Sequence, residues 1–137
     1  MGIAKHFREL EVYQGAMELV TRVFLVSKGF PPDERFGLSD QVRRSSRSVC
    51  ANLAEAWRKR RYCASFIAKL TDAEAEAAET QVHLEVAFRN HYINHQEFAA
   101  MDDAYEKVIA QLVNMVDQAS RWTLKPPRAS GITATEV

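Results

Sequence analysis

The chain has 137 residues, 47% of them hydrophobic and 26% charged, and its formal net charge is zero. That length fits one domain with a real core, and the charge balance excludes a protein drawn to nucleic acid by its overall field. Two cysteines, Cys50 and Cys63, without a Cys-x-x-Cys spacing, exclude a disulfide framework and fit reduced thiols.

Residues 1–9 read as an arm anchored by Phe7. A first helix is expected from Leu10 to Ser27 or Lys28. Val12, Ala16, Leu19, Val23 and Val26 alternate spacings of four and three, the rhythm of a core-facing stripe. Tyr13, Met17, Val20 and Phe24 widen that stripe beyond what one neighbour requires. Gly29-Phe30-Pro31-Pro32 should end it, with a C-terminal glycine and prolines that cannot continue a helix.

The second helix, Leu38–Arg61, carries the most information. Ser39 is the expected N-cap and Asp40 suits the positive end of the dipole. Leu38, Val42, Val49, Leu53 and Ala56 share one face. Arg43, Arg47, Arg58 and Arg61 fall within roughly 60° of one another at ~100° per residue. Gln41, Ser48, Asn52 and Glu55 form a polar seam between the two faces. Such a seam often fixes register or partner number, so Asn52 and Glu55 should each find a hydrogen-bond partner.

A third helix is expected from Cys63 or Ser65 to Asn90, with Phe66, Leu70, Ala73, Ala77, Leu84 and Phe88 facing the core. On its opposite side Ala75, Ala78, Val82 and Val86 form a small apolar strip that suits close approach of another subunit. Tyr92-Ile93-Asn94 makes a turn, and Asn94 with Glu97 resembles a capping box. The fourth helix should run from His95 to Trp122 on Phe98, Met101, Tyr105, Val108, Leu112, Met115 and Ala119. Residues 123–137, with Pro126-Pro127 and no periodicity, read as a disordered tail. The expected fold is therefore all-α: an up-down-up-down antiparallel four-helix bundle over residues 1–122. Its surplus apolar and polar faces predict association of copies into a closed ring.

The chemistry the sequence leaves out is equally plain. The residues three before His83, His91 and His95 are Thr80, Phe88 and Tyr92, so the Glu-x-x-His unit of di-iron bundles is missing. No phosphate-cradling glycine loop is present. Asp72, Glu74, Glu76 and Glu79 are spread around helix three, with no nucleophile and base beside them; some of them are expected to pair with arginines of helix two, in the same or a neighbouring subunit. Cys50 reads as a packed residue. No catalytic residue, metal or cofactor is expected. No apolar run approaches the ~18 residues that span a bilayer, and no signal-peptide pattern appears, so a cytoplasmic protein without membrane contact is expected.

What remains is a charge asymmetry. Between Arg35 and Arg61 eight basic residues face two acidic ones, whereas Asp72–Glu106 holds nine acidic residues and one arginine. Arg43, Arg44, Arg47, Arg58, Lys59, Arg60 and Arg61 are the candidate contacts to RNA or DNA, because the guanidinium fork binds phosphate through paired charge-assisted hydrogen bonds. Gln41, Ser48, Asn52, Glu55, Ala75, Ala78, Val82 and Val86 are the candidate oligomer interface. Few aromatics interleave with the arginines, Trp57 and Tyr62 being the nearby ones, so no base-stacking platform is expected. The alternative is a structural or protein-docking module whose arginines pair with helix three of a neighbour.

An ordered set of residues carries a resemblance. Phe7, Leu10, Pro31, Glu34, Phe36-Gly37-Leu38, Gln41, Arg43-Arg44, Ser48, Asn52-Leu53-Ala54-Glu55, Glu79-Thr80 and Tyr92-Ile93 follow one another over about residues 7–120. This pattern resembles the small bacterial four-helix-bundle family encoded within 23S rRNA intervening sequences, related to the accessory variability protein of diversity-generating retroelements. The resemblance implies a homopentameric ring and a non-enzymatic role. It also implies nucleic acid and, in the retroelement relatives, a reverse transcriptase as partners. One departure is Ala56, which stands where that family usually has glycine.

Overall fold

The computed structural model describes residues 4–124. The periodic stretches become four long helices: α1 (Glu11–Ser27), α2 (Leu38–Arg58), α3 (Cys63–Arg89) and α4 (His95–Asp117). A single turn, α5 (Ala119–Trp122), follows. The helix expected to reach Trp122 breaks at Gln118, whose backbone departs from helical values (φ −107°, ψ 26°). The break lets Trp122 meet Trp57 edge to face at 6.3 Å and lets the Leu124 N–H donate to the Arg60 carbonyl at 2.8 Å. The tail reading beyond Leu124 lies outside the described residues.

The connectivity is up-down-up-down. Ser27, at the end of α1, meets Arg43 near the start of α2. Along α2 and α3, Ser45 pairs with Thr80 and Glu55 with Lys69. Along α3 and α4, Phe88 stacks on Phe98 with ring centroids 5.1 Å apart, and Gln81 reaches the Asp102 carbonyl. Lys107 of α4 returns to Glu11 at the start of α1. Inside, the predicted stripes are buried almost residue for residue: Val12, Ala16, Leu19 and Val23; Val42, Val49 and Leu53; Phe66, Leu70, Ala73, Ala77 and Leu84; Met101, Tyr105, Val108 and Leu112. Each large apolar side chain taken from water contributes roughly 1.5–3 kcal/mol. Ala56 is fully buried and α2 runs through it unbroken.

A polar cluster interrupts this core. Thr80 Oγ1 lies 2.8 Å from both Ser45 Oγ and the Glu76 carbonyl, which satisfies two buried hydroxyls. The Tyr105 hydroxyl, close by, has no partner in hydrogen-bonding geometry among the described residues. Burial, then the neighbouring Cys50, pushes its ionisation well above the ordinary tyrosine range, with Thr80 opposing the shift. Cys50 is buried, its thiol pushed up to about 12 by desolvation, in keeping with its reading as a packed residue. Cys63, at the start of α3, is exposed.

α1 ends just ahead of Gly29-Phe30-Pro31-Pro32, as expected, whereas the start of α2 departs from expectation. Gly29 does not close α1 in the left-handed conformation; Gly29 and Phe30 donate to the Val26 and Ser27 carbonyls in tightened turns before the prolines. Ser39 is not the N-cap of α2. The cap position is Gly37, and the Leu38 N–H donates to Glu34 Oε1 at 3.2 Å, so a carboxylate from the preceding turn does the capping. Its other oxygen, Oε2, accepts from the Tyr92 hydroxyl at 2.9 Å. A side chain at position 37 would put its Cβ 3.0 Å from Glu34 Oε1, so glycine leaves room for this double contact. At the start of α4 the expected capping box of Asn94 and Glu97 is present.

α3 ends on a Schellman motif. The Tyr92 N–H donates to the Ala87 carbonyl and the His91 N–H to that of Phe88, with His91 left-handed at φ 63°. Glycine is the usual residue there. The left-handed cost to an L-residue, ~1–2 kcal/mol, exceeds the entropic disadvantage of glycine, ~0.5–1 kcal/mol. His91→Gly should therefore raise the thermal midpoint by about 2–6 °C, measured by circular dichroism; a lower midpoint would show that the imidazole makes a compensating contact.

Candidate nucleic-acid interface

Seven basic side chains were expected to form one surface along α2. They fall into two groups separated by about half of its length, since eleven steps from Arg47 to Arg58 at ~1.5 Å each span roughly 16 Å. The four-member stripe of Arg43, Arg47, Arg58 and Arg61 does not form. α2 stops at Arg58 and Lys59 turns the chain, which carries Arg61 off the helical face.

At the far end, Arg60 is committed to the protein. Its guanidinium lies 3.5 Å from the Trp57 ring centroid, and its Nε donates to the Trp57 carbonyl at 2.9 Å. Burial, then the charge of Arg58, lowers its pKa, yet guanidinium stays cationic at neutral pH. Arg58, Lys59 and Arg61 are exposed.

At the near end, Arg43 is likewise used by the fold. Its Nε donates to the buried Ser27 Oγ at 2.6 Å, and its guanidinium rests 4.8 Å from the Phe24 ring centroid. Half-buried between α1 and α2, it is a packing residue that also reaches a groove. Arg44 and Arg47 are exposed and, among the described residues, form no ion pair. The expected pairing of helix-two arginines with the acids of helix three is not found within the protomer; Glu79 instead meets His83, one turn on, at 3.6 Å.

Two grooves meet at these arginines. One, of about 490 Å³, is lined by Arg35, Phe36, Asp40, Arg43, Arg44 and Arg47, four guanidinium groups against one carboxylate. The other, of about 520 Å³, runs between α2 and α3 past Gln41, Arg44, Arg47 and Ser48, with Glu76, Glu79 and His83 on its far wall. The first is strongly positive and the second mixed. The candidate contacts read from the sequence left out Arg35 and Phe36, which sit on the turn ahead of α2, where no helical periodicity flags them.

The candidate interface residues are brought onto adjoining helices. Asn52 Nδ2 donates to the Ser48 carbonyl at 2.9 Å and lies 3.1 Å from its hydroxyl. Glu55 pairs with Lys69 at 2.8 Å. That hydrogen bond, then the charge, holds the Glu55 carboxyl below the usual range and raises Lys69. The pair is solvated and adds little stability. Each seam residue expected to need a partner thus has one inside the protomer, and Gln41 is exposed. Ala75, Ala78, Val82 and Val86 form the outer strip of α3 and are exposed, Val82 by 58%.

Among the described residues no three His, Cys, Asp or Glu side chains gather in reach of a metal ion, and no helix is long and apolar enough to cross a membrane. His91 and His95 stand on opposite sides of the α3–α4 turn.

Comparison with known proteins adds two findings. The sequence model of the 23S rRNA-intervening sequence protein family matches residues 8–114. A crystal structure of a protein of unknown function from the S23 ribosomal protein family of Bacteroides thetaiotaomicron is 28% identical, with a TM-score of 0.70, and the match covers 77% of this chain and 97% of that one. No curated protein matches.

Proposed function

Because this chain belongs to the 23S rRNA-intervening sequence protein family, we propose that it is a non-enzymatic helical-bundle protein that binds RNA or DNA by charge rather than by base sequence. The observation that carries this reading is the groove at the N-terminal half of α2, where four arginines face one aspartate. Arg35, Arg44 and Arg47 have no carboxylate partner among the described residues. Unpaired guanidinium groups clustered in a concave surface favour a polyanion. A salt titration against generic RNA and DNA oligonucleotides tests it: log affinity should fall linearly with log salt concentration, and an affinity indifferent to salt overturns it.

The exposed strip of Ala75, Ala78, Val82 and Val86 favours a second, compatible reading, self-association into a ring, with five copies implied by the family resemblance. A ring repeats the arginine groove on every protomer, and multivalency then raises avidity with no new contact. Light scattering behind size-exclusion chromatography should return five times the 15.6 kDa of one chain, and Val82→Glu should lower that mass. A wild-type mass of one chain at micromolar concentration overturns the ring. A docking role toward another protein, such as a reverse transcriptase, is favoured if the ring forms but no oligonucleotide binds.

A further inference from the structure

Among the described residues Phe36 is the most exposed of the large apolar side chains, at 86%. A buried phenylalanine would contribute roughly 1.5–3 kcal/mol, so the fold forgoes that gain at this position. The ring is also held out on a fixed turn. The Arg35 N–H donates to the Pro32 carbonyl and the Gly37 N–H to that of Glu34, while the Glu34 carboxylate ties the same turn to Leu38 and Tyr92. Phe36 lines the groove with Arg43, Arg44 and Arg47, and the Arg35 guanidinium sits 5.2 Å from its ring centroid. A flat apolar surface on a rigid turn, rimmed by guanidinium groups, suits a ligand that alternates aromatic faces with phosphates.

We infer that this groove takes single-stranded nucleic acid, with an unpaired base stacking on Phe36 while Arg44 and Arg47 hold the adjoining phosphates. The inference rests on the charge-reading function proposed above and adds a strand preference to it. In a duplex the bases are already stacked and present only their edges, so Phe36 has no face to meet. In a single strand every base offers a π-face, whatever its identity. The preorganised turn limits the ordering cost of capture.

The test measures fluorescence anisotropy with labelled oligouridylate, oligothymidylate and matched duplexes at one low salt concentration, on the full chain. The two sugars are run side by side to identify the strand bound. Phe36→Ala should weaken single-strand binding by about 5- to 150-fold, the range of one base-aromatic stack, and leave duplex binding within about twofold. Phe36→Trp should retain single-strand affinity. Equal loss on both ligands, or no loss on single strands while Arg44→Ala/Arg47→Ala still weakens them, overturns the stacking inference and leaves charge reading intact. A change in particle mass for Phe36→Ala also overturns it, because the ring is then a subunit contact. If the wild-type protein binds none of the oligonucleotides, the charge-reading function itself falls.

Discussion

Replacing Arg44 and Arg47 together by alanine is expected to weaken oligonucleotide binding by about 10- to 100-fold, from the loss of two charge-assisted phosphate contacts. The slope of log affinity against log salt should become shallower by roughly 1.4 for a single strand or 1.8 for a duplex, two contacts' worth in each case. The fold should not notice. Both side chains are exposed and lack intramolecular ion partners among the described residues, and alanine is the better helix former. The thermal midpoint should therefore stay within a few degrees, the usual reach of a surface change of ~0.5 kcal/mol. Arg43→Ala is the instructive contrast. It strips the buried Ser27 hydroxyl of its donor and uncovers Phe24, so any lost binding would come with lost stability. An unchanged affinity in the Arg44→Ala/Arg47→Ala protein would remove the groove from the proposed function.

The second large effect concerns stability. Glu34→Ala should cost about 1–2 kcal/mol through the lost cap on α2, and losing the Tyr92 hydrogen bond adds to it. Because one carboxylate serves both contacts, Glu34→Ala and Tyr92→Phe should be non-additive in chemical denaturation. Strict additivity would mean that the two contacts act separately. The same contact sets an alkaline limit. The hydrogen bond to Glu34, then desolvation, raises Tyr92 above its ordinary 10.0. A group raised on folding contributes stability in full below its unfolded value and loses it as pH climbs through the folded one. Stability should therefore fall above about pH 10, and less so in Tyr92→Phe.

Much of this architecture was legible because helices advertise themselves by period. The stripe Phe66, Leu70, Ala73, Ala77, Leu84 sets α3 within two residues of its observed ends, and Asn94 with Glu97 marks the start of α4. The misreadings share one cause, which is geometry that no local pattern encodes. Ser39 has the chemistry of a cap, but Glu34, reaching forward from a separate turn, holds the Leu38 N–H. Arg43 and Arg47 look alike on a helical wheel, yet only Arg43 falls where α1 supplies Ser27 and Phe24. Arg61 keeps its angular place only if the helix continues, and it stops at Arg58. Phe36 belongs to no periodic run, so its outward ring became visible only with the turn in place. The resemblance had already drawn together Glu34, Gly37, Leu38 and Tyr92, and the structure supplies the reason: the Glu34 carboxylate touches Leu38 and Tyr92 and occupies the space beside Gly37.

The contrast between the two sulfurs has a practical consequence. Cys50 is sealed within the bundle, with ionisation pushed to about 12, while Cys63 stands open beside the bend that carries Arg61 and Tyr62. Since only thiolate attacks maleimide, the native chain offers a single attachment point and takes one fluorophore per copy without engineering. Energy transfer from that point would test the proposed ring and the proposed path of a strand with every arginine left in place.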